Sequence, residues 1–164
     1  MNKVLLTALI LNLSFLSKAP ASGAQKEPAK AEAISKDALN VNPYGKYFTS
    51  SEKDIAVEMV LIDGKNEDGL QDALLKITGA EAHNEGIDGK VLRYKAVPAG
   101  TGTNFNYQKN GKETTRMLSR DSWGSWKNFE LFVNGKSFKV YGDSAKSKEV
   151  KPSQLASEFK SQQK

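Results

Sequence analysis

Cysteine is missing from all 164 residues. The fold must therefore stand without disulfides, and thiol nucleophiles and thiolate metal sites are excluded outright. Histidine is nearly as scarce. The one imidazole, His83, has Glu81 and Glu85 two positions to either side. On a helix these would not share a face, and in an extended loop one ring with two flexible carboxylates makes a weak zinc site, so no metal and no cofactor is expected. No G-x-S-x-G is present, and a serine triad would need His83 to meet one of many serines with Asp88 or Asp121 as orienter. Gly100-Thr101-Gly102 lacks the third glycine of a dinucleotide fingerprint and precedes a strand, which makes it a connection and not a phosphate cradle. Asp63 to Gly69 resembles a calcium loop in composition only: Lys65 holds the third position, and Leu74 stands where the bidentate glutamate belongs. No helix-turn-helix, zinc or RNP pattern occurs, which argues against nucleic acid, and the basic–aromatic alternation of L-R-Y-K and S-F-K-V-Y is what any half-buried lysine-rich sheet shows.

The chain has few long apolar runs. Val4 to Leu16, behind Lys3, is short for a spanning helix and is followed by the small residues Ala19 to Ala21 and Ser22 to Ala24. This predicts a secretory signal over 1–24, with an uncleaved anchor as the alternative, and so an exported, periplasmic or secreted, bacterial protein. Residues 25–54 open with mixed charge and alanine and read as a flexible tether, its Tyr44, Tyr47 and Phe48 either folding back as an arm or standing exposed. Residues 55–164 are enough for one ordinary domain.

Within that domain the turn chemistry is explicit. Asn134-Gly135 predicts a two-residue hairpin that fixes Val133 opposite Lys136, Leu131 opposite Phe138, Phe129 opposite Val140 and Glu130 opposite Lys139. Asn110-Gly111 predicts a second hairpin, with Tyr107 opposite Thr114, Phe105 opposite Arg116 and Lys109 opposite Lys112; its diluted apolar pattern suggests a partly exposed pair near a sheet edge. Val91 to Val97 alternates as a one-sided strand, and Ile55 to Ile62 is apolar on both faces, as a covered central strand is. Leu70, Ala73, Leu74 and Ile77 repeat at helical spacing behind Asp68 and Gln71, predicting a capped helix that stops at Gly79. Pro152, Leu155 and Phe159 predict a short C-terminal helix docked on the sheet. The reading is an α+β domain: one antiparallel sheet of about six strands, a helix after the first strand and a short helix at the end.

Formal charge is +5, or about +3 once Lys3 and Lys18 leave with the signal. It is unevenly spread: ten acids against three bases between Glu52 and Asp88, then fifteen bases against six acids from Gly89 onward. Such polarity either steers a charged partner or is merely solvated. Both tryptophans, Trp123 and Trp126, fall in the link S-R-D-S-W-G-S-W between the hairpins, with Arg120 and Asp121 beside them and Tyr141 and Phe132 on the outer face of the last hairpin. These residue types favour recognition surfaces, although tryptophans can equally cap a core. The expected function is a small exported binding protein with a protein partner, such as an inhibitor, an immunity-type protector or an envelope accessory. The alternatives are a carbohydrate or small-ligand module stacking on Trp123, Trp126 and Tyr141, and a hydrolase built on His83 and nearby acids.

Overall fold

A computed structural model describes residues 39–50, 54–119 and 127–164. Eight antiparallel strands follow one another around a closed barrel: β1 (Lys46–Thr49), β2 (Ala56–Leu61), β3 (Ala73–Thr78), β4 (Val91–Ala99), β5 (Gly102–Lys109), β6 (Lys112–Ser119), β7 (Asn128–Val133) and β8 (Lys136–Gly142). Phe48↔Gly142 and Thr49↔Tyr141 close the circle between β1 and β8. A short helix α1 (Ala80–Glu85) lies between β3 and β4, and α2 (Ser144–Ser147) and α3 (Pro152–Ser161) follow the last strand.

The closed barrel replaces the open sheet of about six strands that the sequence suggests. Two strands make the difference. β1 lies inside the stretch read as a tether, with Phe48 fully buried and Tyr44 78% exposed. β3 takes the place of the capped helix. It is buried on both sides, Leu75 and Ile77 inside the barrel and Leu74 beneath α3, and a short strand with two apolar faces has the same residue pattern as one helical stripe. Gly79, expected to stop a helix, instead precedes α1 at φ 130.

Inward side chains fill the barrel. Phe48, Phe105 and Phe129 meet edge-on or tilted at centroid distances of 5.1 and 6.4 Å, with Met59, Met117 and Leu131 around them, all at most 1% exposed. Eight strands enclose a space just wide enough for such a filling, so the interior is core. Outside, Val60, Ile62, Leu74 and Val91 form a second cluster under Val150, Leu155 and Ala156, which explains why β2 is apolar on both faces. Elsewhere the outer face carries Arg93, Lys95, Glu130 and Lys139, an apolar-in, charged-out order opposite to that of a lipid-facing barrel. No helix among the described residues is long and apolar enough to cross a membrane.

The β7–β8 register is the one its turn dictates, pair for pair, with Asn134 and Gly135 at φ 50 and 68. The β5–β6 hairpin turns where expected and keeps Lys109↔Lys112, but one extra residue, Thr114, bulges between Gln108↔Glu113 and Tyr107↔Thr115. Phe105 therefore faces Met117, not Arg116. Neither strand is at an edge, since β4 and β7 flank the pair.

Ion pairs join the acidic and basic halves of the sequence. Asp72 pairs with Arg93, Glu67 and Asp68 with Lys95, and Glu81 with Lys136.

Candidate functional site

The bulge has a consequence on the far side of β5. The β4–β5 ladder runs from Ala99↔Gly102 to Lys95↔Asn106 and stops, although β4 extends back to Val91 and β5 forward to Lys109. It stops one residue before the β5–β6 register shifts between Tyr107 and Gln108. A bulge adds twist and bends its strand pair, and here it turns the hairpin away from β4. The barrel wall splits over the last turn of its length.

Strand alternation shows which groups face the split. Ala96 gives its N–H to Asp72 Oδ1 (3.1 Å) and its carbonyl to Asn66 Nδ2 (2.8 Å), both on the β3 side. The peptide groups of Lys95, Arg93 and Val91 therefore face β5. Lys95 finds Asn106 there, whereas Val91 and Arg93 have no ladder partner on β5, and Gln108 has none on β4.

Two recesses flank this split and share Arg93 and Tyr107. One, of about 570 Å³, is walled by Val91, Leu92 and Tyr107 and, from the end of α3, by Phe159, Gln162 and Gln163, with Lys90 at its rim. The other, of about 510 Å³, runs up the outer face over Asp72, Lys95, Val97, Asn106 and Gln108. Tyr107 packs its ring against that of Tyr94, 5.5 Å away, and Tyr94 is fully buried. Burial pushes the Tyr94 phenol far above its usual value, with Thr115 working against the shift, yet neither hydroxyl completes a well-formed hydrogen bond. Spare polar capacity therefore lies behind the apolar recess.

The β3 side of the same strand is locked. Where β3 has ended, two side chains stand in for it. Asp72, at 7% exposure, accepts from Asn66 Nδ2 (2.8 Å) and Ala96 N on one oxygen, and from Arg93 Nε (3.1 Å) and Nη2 (2.8 Å) on the other. Burial pushes its carboxyl up, but the hydrogen bonds from Arg93, Ala96 and Asn66 outweigh that and hold it below its ordinary value. The Asn66 side-chain oxygen accepts from the N–H groups of Asp68 and Leu70, which folds the β2–β3 loop. Thus β4 is held firmly on one edge and left open on the other.

Arg120, Asp121, Trp123 and Trp126 fall outside the described residues. Tyr141 lies on the outer face of β8, 46% exposed, and pairs with Asn128 where β7 begins. His83 is exposed on α1, and no metal-holding group of three or more His, Asp or Glu side chains occurs among the described residues. Its neighbour Glu81 is buried and serves structure: Lys136 Nζ (2.5 Å) and Asn134 Nδ2 (2.9 Å) clamp its carboxylate and hold it at about pKa 2, so that α1 is pinned to the β7–β8 turn. The split itself was missed. Its trace in the sequence is the mismatch of Phe105 against Arg116 in the unbulged register, an apolar side chain opposite a charge, which a single extra residue removes. No protein family, curated protein or solved structure matches this chain.

Proposed function

We propose that this is an exported binding protein that works by protein–protein interaction, taking an extended segment of its partner as an added strand on the open edge of β4. The observation that carries this is the ladder that ends at Lys95↔Asn106 while both strands continue. Val91 and Arg93 there offer two N–H and two C=O groups in strand geometry, and an apolar recess beside them accepts a side chain. Main-chain pairing supplies affinity in such recognition, and the recess supplies selectivity. A filled interior leaves no calyx for a ligand, which directs binding to the wall. An inhibitor, an immunity-type protector or an envelope accessory would all use such an edge.

The test is a photo-crosslinking amino acid placed at Gln108, beside the split, and at Lys139, on an outer face remote from it in strand order. With the full chain exposed to envelope extract, Gln108 is expected to capture a partner through one extended segment, and Lys139 is not. Equal capture at both positions, or capture that survives closing of the split by deletion of Thr114, would refute the reading.

A second reading has one observation behind it. Tyr141 is an exposed aromatic ring on a face that α3 does not cover, paired with Asn128, two residues past Trp126. A carbohydrate or small-ligand surface shared by Tyr141, Trp123 and Trp126 would show as glycan binding lost in Tyr141→Ala and unaffected by deletion of Thr114.

A further inference from the structure

We infer that the segment added to β4 is acidic, an inference that rests on the strand-addition reading and names the chemistry of its partner. Three cations, Lys90, Arg93 and Lys95, line the two recesses against a single carboxylate, Asp72. Asp72 has no capacity to spare: one oxygen is taken by Asn66 and Ala96, the other by Arg93. Lys95 is engaged by Glu67 and Asp68 of the β2–β3 loop. Lys90 is different. Its ammonium donates to the carbonyl of Gly86 at 2.7 Å and meets no carboxylate among the described residues.

The tip of the β5–β6 hairpin repeats the theme. Lys109 and Lys112 stand directly opposite each other at the β5–β6 turn. Like charges in that position destabilise a hairpin, so the arrangement works against folding. Neither has an ion-pair partner among the described residues, and Glu113, next to Lys112, leans instead towards Arg116 at 3.5 Å. Lys90 at the rim of one recess, and Lys109 and Lys112 at the tip of the hairpin whose Gln108 lines the other, thus add cations around the unpaired stretch of β4. A segment lying extended along β4 repeats its side chains on one face about every 6.8 Å, so carboxylates at alternate positions would follow the lysines while the intervening apolar side chain enters the recess over Leu92, Tyr107 and Phe159. The rim lysines also keep the open edge from pairing with another copy of itself, since two such edges would bring like charges together.

The experiment selects random peptides displayed on phage against the full chain, with the Thr114 deletion as counter-target. Peptides enriched on the wild type over the deletion are expected to be acidic around one apolar residue. Their affinity is expected to fall about tenfold in a Lys90→Glu/Lys109→Glu/Lys112→Glu variant checked for fold by circular dichroism, and to weaken with added salt. Enriched peptides that are neutral or basic, or whose affinity ignores the triple substitution, would overturn the charge inference and leave strand addition standing. No enrichment over the deletion would overturn both.

Discussion

Deletion of Thr114 separates the bulge from everything else in the barrel. Gln108↔Glu113 and Tyr107↔Thr115 are neighbouring pairs with Thr114 as the only residue between them on β6. Removing it leaves a regular ladder in which Gln108 and Glu113 still face out, Tyr107 and Thr115 still face in, and the turn at Asn110-Gly111 is untouched. With the extra twist gone, β5 is expected to continue along β4 and pair Gln108 with Arg93. Two backbone hydrogen bonds form, each contributing about 0.5–1.5 kcal/mol net, for a gain of about 1–3 kcal/mol. The deletion also removes the Thr114 hydroxyl, which is buried without a partner. For a domain of this size the gain corresponds to a rise in Tm of about 4–12 °C. Hydrogen exchange gives the local test: the amides of Arg93 and Gln108 exchange fast in the parent and become protected in the variant, while partner binding is lost. Slow exchange at Arg93 and Gln108 in the parent would mean that no open edge exists. Fast exchange in the deletion would mean that the bulge is not what holds the split open.

Three further outcomes are expected. Asn66→Ala removes four hydrogen bonds, to Asp72, Ala96, Asp68 and Leu70, and urea denaturation should show a loss of about 2–4 kcal/mol; Asn66→Asp should cost more at neutral pH, where it sets a second carboxylate against Asp72, and recover in part on acidification. Gly79→Ala places a Cβ 2.2 Å from the carbonyl oxygen of Asp54 at φ 130, so its midpoint should fall much further than that of Gly89→Ala, where φ is 66 and nothing lies within 4 Å. The Glu81 carboxyl, held at about 2 by Lys136 and then Asn134, contributes stability that is present above its unfolded pKa and lost as pH falls from about 4.5 to 2; the Tm difference between wild type and Glu81→Gln should be clear at pH 7 and shrink towards pH 2, and a constant difference would refute the clamp.

What was legible in the sequence was whatever a short-range rule could pin. The Asn134-Gly135 turn sets the β7–β8 register because two residues at positive φ leave no freedom for slippage, and Leu131, Phe138, Glu130 and Lys139 then sort themselves. The C-terminal helix was legible through Pro152 and Leu155, and the double-sided character of β2 through its apolar run. Ala73 to Thr78 was not legible. Six residues buried on both faces carry no period of their own, and the preceding Asp68 and Gln71 mimic a cap; the residue that in fact organises the loop is Asn66, through contacts with Ala96 thirty positions away. β1 was too short to announce itself among the charged and small residues before it. Closure followed from neither strand alone: with both counted, eight strands form a barrel, and without them the remaining six are an open sheet. The split was hidden for a related reason, since a one-residue bulge is visible only in which residues fail to match across a hairpin.

Closure and opening meet on β4, and each explains the other. A closed barrel limits the exposed edges that make β-proteins associate, and where β3 is too short Asp72 and Asn66 supply by side chain the hydrogen bonds that a longer strand would have made to Ala96. On β4 the two edges differ: Asp72 and Asn66 satisfy one beyond β3, and two residues of the other have no partner on β5. Continuing the ladder would take the loss of a single residue, Thr114, and would leave every facing side chain in place. The opening is also confined: it is two residues long on β4, walled by Phe159 and the last turn of α3, and rimmed by lysines that repel a second copy. These three restraints are the ones that the proposed strand addition would use. If β4 takes an added strand there, the Thr114 deletion is expected to give a more stable protein that no longer binds, and a variant that is no more stable, or that still binds, would refute the proposal.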